Sequence, residues 1–411
     1  MRRGAFESRL LVLVTLGLVA FGLVMVYSAT SAPAALARTD PMSYLKKQGV
    51  YALIGVALMM TATRFDYRRL RLLAPTLLVS ALFLCLAVLA VGTRVNGARR
   101  WIAFGPATFQ PSELAKLALA IWVAAYLSRR PAPQTLKDLW RPIGMLFCAF
   151  CALVLAEPDL GTAIAIGIVV LVVLVVSGTP GRTLSLGTGI IAGLGLVAIV
   201  FSPYRRVRFF AFLHPWKDAL GAGFQTVQAM IGLASGGLAG VGLGQGVIKD
   251  NYLPEAHTDM IMAVIGEELG LVGVAAVIGA FAAFAYAGLR IALACKDPFG
   301  KRLAAGLVAL VSGQALINLA AVLGLAPLTG IPLPFISYGG SSLVVALLSV
   351  GILLNIAGGY GAEGRAAVPD RGRRDGRTRT AVAGGRGGAT RARRARDVRR
   401  IAGSHRGAAR S

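Results

Sequence analysis

Long apolar runs, bounded by charged residues or by Pro and Gly, recur along this 411-residue chain and constrain its fold more than any other feature. They lie near 10–28, 47–63, 73–92, 112–128, 142–156, 160–177, 186–202, 260–289, 303–324 and 340–359. Most approach the roughly 20 residues that carry a helix across a bilayer. Lipid offers no partner to backbone N–H and C=O groups, so each run must close its hydrogen bonds within itself. The expected fold is an all-α polytopic membrane protein with about ten transmembrane helices. A composition that is 56% hydrophobic and 15% charged excludes an ordinary soluble domain.

Charge then orients the runs. Alternate connections carry Arg64, Arg68, Arg69 and Arg71; Arg129, Arg130, Lys137 and Arg141; Arg182; and Arg290, Lys296, Lys301 and Arg302. Short basic connections stay on the cytoplasmic side. Both termini are therefore expected in the cytoplasm, with residues 1–9 as a short N-terminal segment and 10–360 as the membrane domain. The apolar run after Met1-Arg2-Arg3 is long for a signal peptide and reads as an uncleaved first span. A net charge of +25 would suggest nucleic acid in a soluble protein, but much of it lies at the end of the chain. Residues 361–411 hold fifteen Arg against four acidic residues, with few large apolar side chains. This segment is expected to be a disordered cytoplasmic tail that meets anionic lipid or cytoplasmic proteins. No nucleic-acid partner is expected.

Three connections on the opposite side are unusual. Residues 93–111 carry Arg94, Arg99, Arg100 and Trp101 where the positive-inside rule disfavours cations. Glu157-Pro158-Asp159-Leu160-Gly161-Thr162 places two carboxylates at a helix-pair tip. The large extracytoplasmic loop between the seventh and eighth spans, about 203–259, contains Arg205, Arg206, Arg208, an expected amphipathic helix around Gln225 and Gln228, a glycine string from Gly236 to Gly246, Lys249, and Glu255-Ala256-His257-Thr258-Asp259.

Each of these admits a plain structural reading. The glycine string lacks a dinucleotide fingerprint; it lets backbone approach closely, and could leave amides free for a phosphate. The basic residues suit lipid headgroups or a specific anionic ligand, which Arg can grip in a fork. Glu113 and Lys116, at i and i+3, share a helix face and could pair. A lone charge deep in a span costs about 2.5–3.5 kcal/mol, so Glu267 and Glu268 should include at least one inward-facing group. Thr258 or Asp259 could cap the eighth span, and a helix N-terminus would hold Asp259 ionised with a low pKa. Cys148 and Cys151 form a lone CxxC inside a span, where small-residue packing is the expected role. Three His residues build no metal site.

Four ordered motifs give a more specific reading. Val95-Asn96-Gly97-Ala98-Arg99-Arg100-Trp101 with Phe109-Gln110-Pro111-Ser112-Glu113-Leu114-Ala115-Lys116, then Glu157 to Thr162, then Tyr252 to Gly270, then Pro332 to Ser342, together resemble the SEDS proteins (shape, elongation, division and sporulation). The resemblance spans about 10–360. Asn96-Gly97-Ala98 and Glu255-Ala256-His257 look more like the division branch, FtsW, than the elongation branch, RodA. Met260 and Met262 stand where the family carries aromatic residues.

The resemblance implies a peptidoglycan glycosyltransferase that polymerises lipid II, a disaccharide-pentapeptide on undecaprenyl pyrophosphate, during septal wall synthesis. It maps the family's essential aspartate onto Asp259, as general base in an inverting displacement. It also implies substrate-binding roles for Arg99, Arg100, Glu113, Lys116, Asp159, Arg205, Lys249 and His257. It leaves room for a divalent cation, Mg or Mn, on the pyrophosphate, and implies a class B penicillin-binding transpeptidase and other division proteins as partners. A lipid II flippase and a non-catalytic division scaffold are the rival readings.

Overall fold

A computed structural model describes residues 5–36, 42–95, 98–105, 107–249 and 253–366, with the side chains of all but 32–36, 95, 104, 198, 203–205 and 360–366. The expected tail beyond 366 lies outside the described residues, as do Asn96, Gly97, Tyr252 and the side chain of Arg205. The helices are α1 (Ala5–Leu36), α2 (Met42–Arg64), α3 (Leu70–Val91), α4 (Pro111–Ser128), the single turn α5 (Leu136–Leu139), α6 (Met145–Ala156), α7 (Leu160–Ser177), α8 (Gly181–Val200), α9 (Pro203–Leu213), α10 (Phe224–Ser235), α11 (Ile261–Ala294), α12 (Pro298–Val322) and α13 (Gly340–Ala366).

Helices occupy every position where an apolar run predicted one. Among the described residues seven are long and apolar enough to cross a membrane unaided. Of the others, α4 explains itself: its residues from Ser112 to Leu127 are mostly buried among neighbouring helices, so it can carry Glu113 and Lys116. The outer surface is apolar instead. Leu186, Ile190, Leu194, Val197 and Val200 of α8, and Leu72, Val79 and Phe83 of α3, are exposed, as lipid-facing side chains should be. The chain is a multi-pass membrane protein. Inside, α12 packs against α4, α7 and α11, while α13 lies along α2 and α1 along α11.

The structure differs from the sequence reading in two places. Residues 93–109 form a three-stranded antiparallel sheet, β1 (Thr93–Val95), β2 (Ala98–Phe104) and β3 (Ala107–Phe109), rather than an open basic loop. Val95 pairs with Ala98 across a two-residue connection. Asn-Gly at that spacing, ahead of Trp101-Ile102-Ala103-Phe104, is a strong hairpin signal.

The second difference is a break in α11. Gly270 has φ 64° and ψ −161°, a conformation reserved for glycine, and it interrupts the expected span. The backbone groups freed there are taken by the glycine string. Val241 N–H donates to Glu267 C=O at 3.0 Å and Gly242 N–H to Glu268 C=O at 3.0 Å; Leu271 N–H donates to Gly237 C=O at 2.9 Å and Val272 N–H to Leu238 C=O at 3.2 Å. A side chain at Gly240 would strike the Glu268 carbonyl. Non-helical backbone at this depth survives only when protein satisfies it. The string's amides at 241 and 242 are thus committed to α11, which corrects the expectation that they stand free for a phosphate.

Candidate functional site

Asp259 sits in the turn that leads into α11, and its carboxylate caps nothing. Met260 is the N-cap residue and no side chain bonds the first amides. This removes the helix-cap reading. The Thr258 hydroxyl lies 3.2 Å from Asp259 Oδ1 and 3.1 Å from Glu255 Oε2. The residue's own backbone is held firmly: Asn318 Nδ2 of α12 donates to the Asp259 carbonyl at 2.7 Å and to the Ile331 carbonyl at 2.8 Å. Gly330 packs beside Asp259 Oδ2. Met260 and Met262 point into the core, fully buried.

Half-burial, more than anything else, pushes the Asp259 pKa up to about 6 from its ordinary 3.8. Its own amide and the Thr258 hydroxyl pull it back, the negative charge of Glu255 adds to the rise, and the positive charge of Arg208 opposes it. The expectation of a low pKa is therefore corrected: desolvation outweighs the helix end. Arg208 also lines a cavity of about 550 Å³ with Val207, Gly221, Ala222, Phe224, Gln225 and Pro254. The sequence reading chose Arg205 for the site and left Arg208 among the basic residues suited to headgroups or an anionic ligand. Only the turn of α9 separates the two, and charge alone gave no way to choose.

His257 stacks edge-on against Tyr44 at 4.9 Å and leans on Tyr338 at 5.6 Å. Its carbonyl accepts from Tyr338 N–H at 2.9 Å. Burial lowers its pKa, against the pull of Glu255, so the imidazole is neutral at neutral pH.

The remaining candidates are tied into the frame. Arg99 donates to the Leu89 and Ala90 carbonyls at 3.1 and 3.3 Å, closing the end of α3. Arg100 donates to the carbonyls of Glu157 (2.8 Å) and Pro158, fixing the α6–α7 turn. Asp159 caps α7 through Thr162 N–H (2.9 Å) and the Thr162 hydroxyl (2.8 Å), with Gln110 Nε2 at 3.3 Å. Gly161, two residues on, packs on Thr329 and Ile331, so this turn buttresses the segment beside Asp259. Lys116 Nζ lies 2.9 Å from Glu113 and 2.8 Å from Gln314 Oε1, while Gln314 Nε2 reaches the Pro332 carbonyl at 3.1 Å and Ser342 at 3.0 Å. Lys249 is buried against Glu268 at 2.7 Å.

Missing from the sequence reading was the hub role of the fourth motif. Ser337 Oγ accepts from Leu333 N–H at 2.8 Å, the Ser337 carbonyl accepts from Gln48 Nε2 at 3.0 Å, and Ser341 Oγ accepts from Gln110 N–H at 3.0 Å. Through it α2, the start of α4 and the turn before α11 are tied together, the last by Tyr338 N–H on the His257 carbonyl.

Among the described residues no group of three or more His, Cys, Asp or Glu side chains could hold a metal ion. Asp259 and Glu255, which share Thr258, are a pair of neighbouring carboxylates that could touch a cation. Such an ion would take most of its ligands from the substrate.

The chain is similar to known proteins over most of its length. The family of cell cycle proteins grouping FtsW, RodA and SpoVE matches residues 8–359. A probable peptidoglycan glycosyltransferase FtsW of Geobacter metallireducens is 42% identical over 351 residues, 84% of this chain and 93% of its own. Stage V sporulation protein E of Bacillus subtilis is 40% identical over 354 residues, 85% of this chain and 96% of its own. Among solved structures, a chain of a peptidoglycan synthase complex that coordinates polymerization and crosslinking superposes with TM-score 0.73 at 32% identity, covering 85% of this chain and 97% of that one. The rod shape determining protein RodA of Thermus thermophilus gives TM-score 0.62 at 31% identity, covering 84% and 95%.

Proposed function

The chain belongs to the FtsW/RodA/SpoVE family, and from that premise we propose that it is a peptidoglycan glycosyltransferase of the division type, polymerising lipid II into β-1,4 glycan strands. The single observation that carries the chemistry is a carboxylate that caps no helix, has a pKa raised to about 6, is anchored through its backbone by Asn318, and feels the positive charge of Arg208. A general base works best when its pKa lies near the working pH. Asp259 takes the proton from the acceptor 4-hydroxyl. That oxygen forms the new bond to the donor's anomeric carbon, while the bond to pyrophosphate breaks and the pyrophosphate leaves as an anion on its undecaprenyl carrier. One displacement inverts the α-linked donor to a β linkage. Unlike a glycosidase with paired carboxylates, the reaction needs no acid at the leaving group. Cations serve instead. Arg208, which lines the cavity and acts on the charge of Asp259, supports that role; Arg205 stays a candidate on its position in α9. Arg99, Arg100, Glu113, Lys116 and Asp159 act by shaping the frame around the base.

Similarity to a chain of a peptidoglycan synthase complex supports a class B penicillin-binding transpeptidase as partner. The working site would then lie on the outer face of the inner membrane at the septum, with both termini cytoplasmic. The rival transporter reading draws on charges inside the bundle, but Glu113–Lys116 and Lys249–Glu268 are matched, closed pairs. Vesicles holding the purified protein, its transpeptidase partner and fluorescent lipid II separate the two. Glycan strands formed by the wild type and absent with Asp259→Ala support the polymerase; lipid moving between leaflets without polymer sinks it.

A further inference from the structure

Two consecutive glutamates face the glycine-rich loop from inside α11, and the chemistry above uses neither. Glu267 accepts the amides of Val247 at 2.9 Å and Ile248 at 3.2 Å. Glu268 is fully buried and holds Lys249, itself 2% exposed. Lys249 Nζ donates to Glu268 Oε1 at 2.7 Å, to the Gly244 carbonyl at 2.8 Å and to Ser28 Oγ of α1 at 3.2 Å. Ser28 Oγ lies 2.7 and 2.8 Å from the two Glu268 oxygens.

An ammonium group has three donors, and all three are spent. Lys249 therefore has none left for a substrate phosphate, the role its charge alone suggested. Its place in the chain gives it another. It stands ten residues ahead of Asp259. Downstream, the segment is pinned by Asn318 on the Asp259 carbonyl and by Tyr338 on the His257 carbonyl. Upstream, Lys249 and the Glu267 clamp are the corresponding anchors.

We propose that Lys249 and Glu268, steadied by Ser28, form a latch that positions the Asp259 segment against α11 and α1. Lys249 is a positioning residue in this account, and the proposal rests on the polymerase reading. Because both groups are buried, removing one partner strands the other's charge, whereas neutralising both removes the conflict.

The test compares Lys249→Met, Glu268→Gln and the double variant, purified with the partner transpeptidase and assayed on lipid II. Displacement of the base from its productive geometry should lower kcat of Lys249→Met by about a hundredfold with KM nearly unchanged. The double variant should recover most of that loss. A double variant as inactive as Lys249→Met, or a raised KM with kcat intact, overturns the latch and returns Lys249 to the substrate. Should Lys249→Met fail to fold, Glu268→Gln decides, since wild-type kcat in that conservative variant also overturns it. If wild-type protein makes no polymer, the polymerase reading fails by itself. Amide exchange at 244–249 then judges the latch: faster in Glu268→Gln supports it, unchanged refutes it.

Discussion

Asp259 is held where ionisation is costly, and that cost sets how it behaves with pH. Its folded pKa, about 6, lies above the ordinary 3.8, so its contribution to stability is full below 3.8 and is lost as pH rises through 6. Asp259→Asn, which cannot ionise, should melt higher than the wild type at neutral pH, with the gap closing in acid; detergent melts across that window check it. The same change should lower polymerisation by about 10²–10⁴-fold. Glu157 follows the same sign without a catalytic part. Both its oxygens are buried with no hydrogen-bond partner among the described residues, and burial first, then Asp159, push its pKa up to about 8 against the pull of Arg100. It is neutral at pH 7. Glu157→Gln should keep activity, and the wild type should lose thermal stability relative to it as pH climbs from 4.5 toward 8. Neither shift was legible in the sequence, where Asp259 looked like a helix cap with a low pKa. Burial depends on segments as distant as Gly330 and Arg208, which spacing does not reveal.

At the scale of elements, periodicity and length found the helices, because a membrane span has to satisfy its own backbone. They could not find the break in α11, since Gly270 in an apolar run reads as one more small residue. The glycine string was legible as close-approach backbone, but its partner was not. Gly240, at φ 80°, presses on the Glu268 carbonyl. Gly189 in α8 has nothing near its absent side chain. Gly240→Ala should therefore lower the melting temperature of the membrane domain sharply and reduce polymerisation, by overpacking of about 1–3 kcal/mol or more with backbone strain added. Gly189→Ala should be neutral or stabilising by a few tenths to about 1 kcal/mol. Thermal melts of the two variants side by side make the comparison. The small sheet teaches the complementary lesson. Asn96-Gly97 signalled its hairpin, but the basic charge around it drew attention to ligands instead of pairing.

For the molecule as a whole, composition gave the class and the ordered motifs gave the family. What the motifs could not give was division of labour. Of the cations singled out by charge, Arg99, Arg100 and Lys249 turn out to be bonded to carbonyls or to Glu268, while Arg208 lines the cavity and its charge acts on Asp259. Arg and Lys bind a carbonyl and a phosphate with the same donors, so only the surrounding fold distinguishes them. Replacing Arg208 with Gln should raise the KM for lipid II and lower kcat by about tenfold or more, through loss of a cation at the leaving group. The central claim, that this fold polymerises lipid II with Asp259 as the base, meets its most direct test in the pH dependence of kcat/KM for purified protein with its partner. The account predicts an acid limb with its midpoint at about 6, and a rate for Asp259→Asn lower by about 10²–10⁴-fold that lacks this limb. A rate that passes unchanged through pH 6, or polymer made by Asp259→Asn at the wild-type rate, would contradict it.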